Sequence, residues 1–221
     1  MQRLSGQAGL DLTNRSTSIA RRIGIFGGAF DPPHNAHVAL AKATITQFDL
    51  AALHVIPTGH AWHKARALSA PEHRLAMARL AFDQVERTVV DDRELLRAGP
   101  TFTIDTLRAL QHENPHSQLY LLIGADQFAA FEQWHEWKAI LDIAILCIAD
   151  RADSALAMTR FDQCSPFSHR FLILNLPLMP VSATWIRKAM ASDTTTIQKI
   201  AAFVPKAVAR YISDHQLYRL D

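Results

Sequence analysis

The stretch that decides the fold runs from residue 24 to residue 37 and reads GIFGGAFDPPHNAH. It continues the apolar, β-type run RIGIF (22–26) and leads into NAHVALAKATITQF (35–48), whose apolar residues recur at helical spacing. We therefore predict a strand-to-helix turn. Gly27 and Gly28 let the backbone turn tightly and approach a ligand, and the N–H groups at a helix start carry partial positive charge. This composition predicts a turn that binds an anion.

Two histidines lie at the predicted start of this helix. His34 and His37 are three residues apart, so both imidazoles are expected on one face, toward the same anion. Such a pair suits a phosphate on which negative charge develops. A metal site that includes the nearby Asp31 is the less favoured alternative, because zinc needs a third protein ligand and the His-Glu-x-x-His pattern is absent. A pair of ordinary helix-start histidines stays open as a second alternative.

The rest of the chain alternates short apolar runs with stretches of helical period, which is typical of a doubly wound parallel sheet in a Rossmann-like α/β fold. Further strands are predicted at 53–57, 87–92, 118–124, 143–149 and 170–176. Helices are predicted at 70–86, 101–113, 182–192 and 205–215, with the hydroxyls of Thr101 and Ser182 able to cap two of them. In such a sheet the ligand lies beyond the carboxyl ends of the strands.

Composition limits the possible classes of function. The 221 residues are 49% apolar and carry a net charge of only +2, so charge does not call for a nucleic-acid partner. The longest apolar runs are shorter than the roughly 18 residues of a membrane span. Cys147 lies in an apolar run and is predicted to be a buried thiol; with Cys164 it makes the only pair, which fits a reducing cytoplasm. We predict a disordered extension over residues 1–21 and a single domain over 22–221.

The opening stretch also resembles a known signature. Residues 27–37, GGAFDPPHNAH, resemble the G-x-F-D-P-x-H-x-G-H motif of the nucleotidyltransferases related to class I aminoacyl-tRNA synthetases, with Ala36 where glycine is usual. Later segments resemble the nicotinate-nucleotide adenylyltransferases within that superfamily: HK (63–64), GPTFTIDTL (99–107), LIGADQF (122–128), WHEWKAIL (134–141) and VSATWIRKAM (181–190). The chain departs from that family at Trp62, at Phe102 and at DRADSA (150–155).

The resemblance implies a reaction and its partners. The enzyme would transfer AMP from ATP to nicotinate mononucleotide, reversibly, giving nicotinate adenine dinucleotide and pyrophosphate in NAD biosynthesis. The mononucleotide phosphate would attack the α-phosphorus in line, with no covalent enzyme intermediate. Mg²⁺ would accompany the ATP phosphates without a metal site built from the protein. The expected partners are these two small molecules, with no nucleic acid and no membrane, and the chain is compatible with a homo-oligomer in the cytoplasm.

The resemblance also implies the site residues. The residues expected at ATP are Gly27, Gly28, Phe30, Asp31, His34, His37, Gly124, Asp126, Ser182, Thr184 and Arg187, of which His34, His37 and Arg187 are expected to be catalytic. Those expected at nicotinate mononucleotide are Lys64, Phe102, Thr103 and Trp134. Plain structural alternatives stay open: a capped helix at 182–192, a solvated Lys64, a capping Asp126 and core packing for Trp134. Trp137 is assigned to the core.

Two other functions are weighed against this one. Phosphopantetheine adenylyltransferases share the superfamily signature, but they are much shorter chains without the Trp134 segment. A nucleotide-binding regulator that kept the fold would be expected to lose His34, His37 or Arg187, and all three are present. A class I tRNA synthetase is excluded because 221 residues leave no room for an anticodon-binding domain.

Overall fold

A computed structural model describes residues 20–59, 68–151, 167–176, 179–192 and 196–219 of the chain. Three sequence predictions concern residues outside these ranges. They are nearly all of the predicted N-terminal extension, the segment with Lys64, and Cys164.

The described part contains one sheet of six parallel strands in the order β3-β2-β1-β4-β5-β6. The strands are β1 (Arg22–Gly28), β2 (Ala52–Pro57), β3 (Thr88–Val90), β4 (Gln118–Gly124), β5 (Ala144–Arg151) and β6 (Phe171–Leu176). All six predicted strands are confirmed. Their continuous apolar runs arise because helices cover both faces of a parallel sheet.

The helices that follow the strands are α1 (Asn35–Gln47), α2 (Pro71–Phe82), α3 (Thr103–Glu113), α4 (Ala125–Ala129), α5 (Trp137–Ile143), α6 (Ala183–Ser192), α7 (Thr196–Ile200) and α8 (Lys206–Asp214). The predicted helices are confirmed, whereas the short α4, α5 and α7 were not predicted. The predicted cap by Thr101 is wrong, because Phe102 holds the N-cap position of α3 and no side-chain bond caps it. At α6 the cap is confirmed, since Ser182 Oγ accepts a 3.1 Å bond from the Trp185 N–H.

The two faces of the sheet carry separate cores. One core packs apolar residues of α1, α2, α6 and α8 against the sheet, and the other packs residues of α3 and α5 against the opposite face. Cys147 lies fully buried in the first core, as predicted, and burial raises the pKa of its thiol to about 12. Among the described residues, no helix combines the length and apolarity that crossing a membrane requires.

The strand order places a crevice at the centre of the sheet. β1 pairs with β2 on one side and with β4 on the other. The chain therefore places β2 and β3 on one side of β1, and then β4, β5 and β6 on the other side. Ligands of open α/β sheets bind at such a switch point, beyond the carboxyl ends of the strands. Gly28 ends β1 and Gly124 ends β4 at this edge. The segments after β1 and β4, where ligand contacts were predicted, therefore both begin at the crevice.

Candidate active site

The turn after β1 is held by a closely packed aromatic ring. Phe30 has a φ of 46°, which is uncommon for a bulky residue, and its side chain is buried. Its ring packs edge-on against Phe26 at 5.4 Å and Phe82 at 5.7 Å between centroids. A Cβ at Gly28 would lie 3.0 Å from this ring, whereas one at Gly27 would meet nothing within 4 Å. Gly28 is thus required by packing, and Gly27 borders open space.

His34 and His37 are in direct contact, as their spacing predicted. Their rings stack with centroids 3.7 Å apart and planes 20° from parallel. The backbone N–H of His34 donates a 3.1 Å hydrogen bond to Nδ1 of His37. Nδ1 of His37 is therefore an acceptor, so in the neutral ring the proton lies on Nε2 and makes that atom a donor. Phe30 meets the His37 ring edge-on at 5.2 Å and fixes its tilt.

The start of α1 has fewer open donors than the sequence predicted. The Asn35 N–H donates to the carbonyl of Phe203 at 2.8 Å, and Asn35 Nδ2 donates to the carbonyl of Ala202 at 3.0 Å. The N–H of Asn35 is therefore not available to a ligand. The segment between α7 and α8 satisfies this part of the start of α1.

The structure joins the turn after β1 to the start of α6. Arg187 Nη1 donates to the backbone carbonyl of Asp31 at 2.7 Å, although the two residues are 156 positions apart. Nη2 of the same guanidinium donates to Thr184 Oγ1 at 3.0 Å. Thr184 is exposed and Arg187 is half-buried. The turn after β1 and the start of α6, both of which were predicted to contact ATP, are thus in hydrogen-bond contact.

Asp31 is buried, and its carboxylate makes contacts inside the protein. Oδ1 accepts a 2.7 Å bond from the hydroxyl of Tyr218, and Oδ2 accepts a 3.2 Å bond from the backbone N–H of Ser69. Burial, together with the charge of Asp31, raises the pKa of Tyr218. The sequence analysis missed Tyr218 because it lies in a short polar stretch with no local pattern, 187 residues from its partner. Asp31 and Phe30 are therefore buried supports of the turn after β1. We call these residues, together with the residues that hydrogen-bond to this turn, the frame of the site.

A second missed residue, Arg74, ties the turn to the loop after β2. Its guanidinium is buried and donates to three backbone carbonyls, those of Ser69 at 3.0 Å, Ala29 at 3.2 Å and Thr58 at 2.7 Å. Burial lowers the pKa of Arg74, and the Asp31 carboxylate partly offsets this. The signal was present in the sequence: Arg74 lies on the helix face that carries Met77, Ala78 and Ala81. Thr58 and Ser69 lie on either side of residues 60–67, which are outside the described part, so Arg74 connects the described segments before and after them.

The residues after β4 occupy the other side of the crevice. Gly124 precedes α4, and a Cβ at this position would lie 2.5 Å from Oδ1 of Asp126. A side chain at position 124 would therefore displace the Asp126 carboxylate. Asp126 itself is exposed at the first turn of α4. The glycine thus leaves room for the carboxylate at the edge where a contact with ATP was predicted.

Phe102 contacts the segment that carries Trp134, the other aromatic residue predicted at the mononucleotide. The ring of Phe102 is 4.4 Å from that of His135, which adjoins Trp134 in the chain. Trp134 is half-buried and packs at 5.5 Å against Phe131. Trp137 also contacts Phe131, at 6.0 Å, which supports its assignment to the core. His135 was missed by the sequence analysis.

An ion pair holds this aromatic segment against α3. Arg108 donates to both carboxylate oxygens of Glu136, at 3.1 and 2.6 Å. Glu136 has a φ of 51° and immediately follows the Trp134–His135 pair. A two-pronged bond of this kind constrains both position and orientation. It therefore keeps the aromatic segment beside Phe102 and Thr103 at the start of α3.

The possible metal ligands of the described residues are dispersed. Within this part of the chain, no group of three or more His, Cys, Asp or Glu side chains is close enough together to hold a metal ion. In particular, the carboxylate beside the histidine pair is bound by Tyr218 and Ser69.

Comparisons with known proteins relate the chain to one family and its fold to solved structures. A family model described as cytidylyltransferase-like matches residues 25–189. A protein of Albidiferax ferrireducens described as "Probable nicotinate-nucleotide adenylyltransferase" is 48% identical over 199 residues, covering 90% of this chain and 98% of the relative. One of Bordetella petrii with the same description is 40% identical over 202 residues, covering 90% and 100%. The fold matches Plasmodium falciparum nicotinic acid mononucleotide adenylyltransferase complexed with NaAD, with a TM-score of 0.74 at 19% identity over 90% of this chain and 97% of that one.

Proposed function

The chain belongs to the nicotinate-nucleotide adenylyltransferase family, within the cytidylyltransferase-like proteins, and from that membership we propose its reaction. It adenylylates nicotinate mononucleotide with ATP, forming nicotinate adenine dinucleotide and pyrophosphate, as a step of NAD biosynthesis in the cytoplasm. Residues 22–221 act as one nucleotidyltransferase domain. Its partners are these two small molecules.

One observation carries the proposal for the site. The Arg187 guanidinium spans from α6 to the backbone carbonyl of Asp31 at 2.7 Å, and Asp31 precedes the stacked histidines in the same turn. A cation and two imidazoles are thereby gathered at the carboxyl end of β1. This is the arrangement that a triphosphate requires, because its negative charge is spread over several oxygens.

The chemical step needs little from the protein beyond position and charge. The acceptor's phosphate is already an anionic nucleophile, so no general base is required. Its oxygen attacks the α-phosphorus of ATP, the bond to the bridging oxygen breaks, and pyrophosphate leaves with the electron pair. The Nε2–H of His37 is a donor suited to the oxygens on which charge grows, and Arg187 neutralises charge on the phosphates. Preorganised donors of this kind typically account for a rate factor of about 100 to 1000 each.

The second substrate is assigned to the opposite side of the crevice. We assign the pyridine ring to the half-buried Trp134, because stacking on a flat ring contributes about 1 to 3 kcal/mol. Its carboxylate is assigned to Phe102 and Thr103 at the start of α3, where backbone N–H groups and the Thr103 hydroxyl can donate. Lys64, in the loop between the anchors Thr58 and Ser69, is assigned to the phosphate of the mononucleotide.

Mg²⁺ is assigned to the substrate. Because the described residues offer no cluster of metal ligands, the ion would be coordinated by phosphate oxygens and water, which suits the preference of Mg²⁺ for keeping its waters. When bound, it would neutralise charge on the triphosphate and on the departing pyrophosphate. No side chain of the described part is assigned to it.

Product analysis tests this function. The purified protein is incubated with ATP, Mg²⁺ and nicotinate mononucleotide, and products are identified by chromatography and mass. We expect the dinucleotide and pyrophosphate in equal amounts, and no pyrophosphate when the acceptor is omitted. Phosphopantetheine replaces the mononucleotide in a parallel reaction. Turnover with phosphopantetheine alone would replace the substrate assignment, and ATP binding without any product would indicate a regulator.

A further inference from the structure

The C-terminal segment reaches the frame of the candidate active site. After α8, Tyr218 adopts a φ of 66°, which is uncommon for a bulky residue and points to a constrained role. Its hydroxyl donates a 2.7 Å bond to Oδ1 of Asp31 and lies 3.8 Å from the sulfur of Met77. We propose that Tyr218 is a positioning residue of the active site, acting through Asp31 on the turn that carries the catalytic histidines.

Asp31 is the point where several segments meet. Its carboxylate accepts bonds from Tyr218 and from the N–H of Ser69, while its backbone carbonyl accepts the bond from Arg187. Two prolines separate it from His34, and proline fixes φ, so the connection between them is stiff. A displacement of Asp31 is therefore transmitted both to the anchor of Arg187 and to the histidine pair.

The hydrogen bond between Tyr218 and Asp31 constrains the position of the Asp31 carboxylate. Asp31 is 1% exposed, so its carboxylate depends on the protein for its hydrogen bonds. A 2.7 Å bond from a hydroxyl to a carboxylate is a charge-assisted contact, stronger than one between neutral groups. The guanidinium of Arg74 adds a positive charge nearby and ties the same region to Ala29 and Ser69. Loss of the Tyr218 hydroxyl removes this contact from Oδ1 and with it one constraint on the position of the carboxylate.

The expected kinetic effect follows from this geometry and rests on the proposed adenylyl transfer. Tyr218 touches no substrate in this account, and Arg187 keeps its charge and its planar fork when only the Tyr218 hydroxyl is removed, so ground-state binding of ATP should change far less than in Arg187→Lys. Misplacement of catalytic groups by about 1 Å costs on the order of 100-fold in rate. We expect Tyr218→Phe to lower kcat about tenfold to a hundredfold and to change KM for ATP by less than about threefold.

A matched control separates positioning from general destabilisation. Tyr211 also projects from the C-terminal region to α2, where its hydroxyl lies 3.0 Å from Nδ1 of His73, but it is not bonded to Asp31. Wild type, Tyr218→Phe and Tyr211→Phe are assayed for pyrophosphate release well below their unfolding temperatures. An inactive wild type would refute the proposed function. An active wild type with equal kcat values for the two variants would instead overturn the role of Tyr218.

A double-mutant cycle tests the route through Asp31. If Tyr218 acts through this carboxylate, Tyr218→Phe should slow an Asp31→Ala protein by less than about twofold, because the partner is already gone. A full tenfold loss in that background would overturn the proposal. Circular dichroism checks that each variant is folded. If the Tyr218→Phe protein does not fold, kcat is measured for the double variant Tyr218→Phe/Asp31→Ala instead. A kcat of the double variant equal to that of wild type would also overturn the proposal.

Discussion

Substitution of Arg74 by methionine is expected to destabilise the protein severely. The guanidinium is 2% exposed and bonds the carbonyls of Ser69, Ala29 and Thr58 at 3.0, 3.2 and 2.7 Å. Methionine fills a similar volume, so the main loss is of hydrogen bonds, and each unsatisfied buried acceptor costs about 1 to 3 kcal/mol. Partial access of water reduces the sum. We therefore expect the free energy of unfolding to fall by about 3 to 5 kcal/mol, the lower part of the sum for three such acceptors.

Urea and thermal unfolding measure this loss. For a chain of this size, about 3 to 5 kcal/mol corresponds to a fall of roughly 6 to 20 °C in Tm. Arg79→Met on the same helix is the control, because Arg79 is 60% exposed and makes one 3.4 Å ion pair with Asp92. Exposed pairs contribute about 0 to 1 kcal/mol, and Met and Arg have similar helix propensities. A loss below about 1 kcal/mol for Arg74→Met, or one equal to that of the control, would refute the reasoning.

Three further outcomes are expected. Arg187→Lys should raise KM for ATP at least about tenfold, because an ammonium cannot hold the Asp31 carbonyl and phosphate oxygens with a planar fork; an unchanged KM would return this segment to a plain capped helix. His37→Ala should lower kcat about 100- to 1000-fold, and retention of more than about a third of turnover would contradict its role. Burial alone would raise the pKa of Asp91, but hydrogen bonds from His54 and Arg93 hold it at about 2. This carboxylate therefore stabilises the fold above its unfolded pKa of about 4. At neutral pH the free energy of unfolding of wild type should exceed that of Asp91→Asn by about 2 kcal/mol. This difference should vanish when urea unfolding is repeated at decreasing pH down to about pH 2.

The strands and the turn after β1 were predictable because local sequence specifies them. Continuous apolar runs indicate strands that are covered on both faces, and the run is followed by helical spacing. The turning role predicted for the glycines was wrong: Gly27 and Gly28 are the last residues of β1, and the left-handed backbone of the turn lies at Phe30. The contact between His34 and His37 was predicted from their spacing, but it arises at the helix cap, because His34 is the extended N-cap of α1 and His37 is its third residue, whose Nδ1 accepts the His34 N–H. Short helices such as α4 and α5 were missed because five to seven residues do not display a period.

The frame of the site was not predictable, because its bonds join residues that are far apart in sequence. Tyr218 meets Asp31 across 187 positions, and the carbonyl of Phe203 takes the N–H of Asn35 that was expected to face an anion. Arg74 was overlooked for a different reason: a charged residue in an amphipathic helix is usually assigned to the solvent face. Leu80 shows the converse, since it fits the apolar spacing of α2 and is 37% exposed.

The choice between two acceptors tests the central claim most directly. Nicotinate mononucleotide carries a carboxylate where the nicotinamide form carries an amide. N–H groups at the start of α3 and the Thr103 hydroxyl favour the anion, because the amide would turn its own NH₂ toward a donor. A hydrogen bond to a charged group contributes roughly 1.5 to 3 kcal/mol, so kcat/KM for the nicotinate form should be about tenfold to a hundredfold higher at equal ATP. Equal values of kcat/KM, or a preference for the amide, would contradict the account.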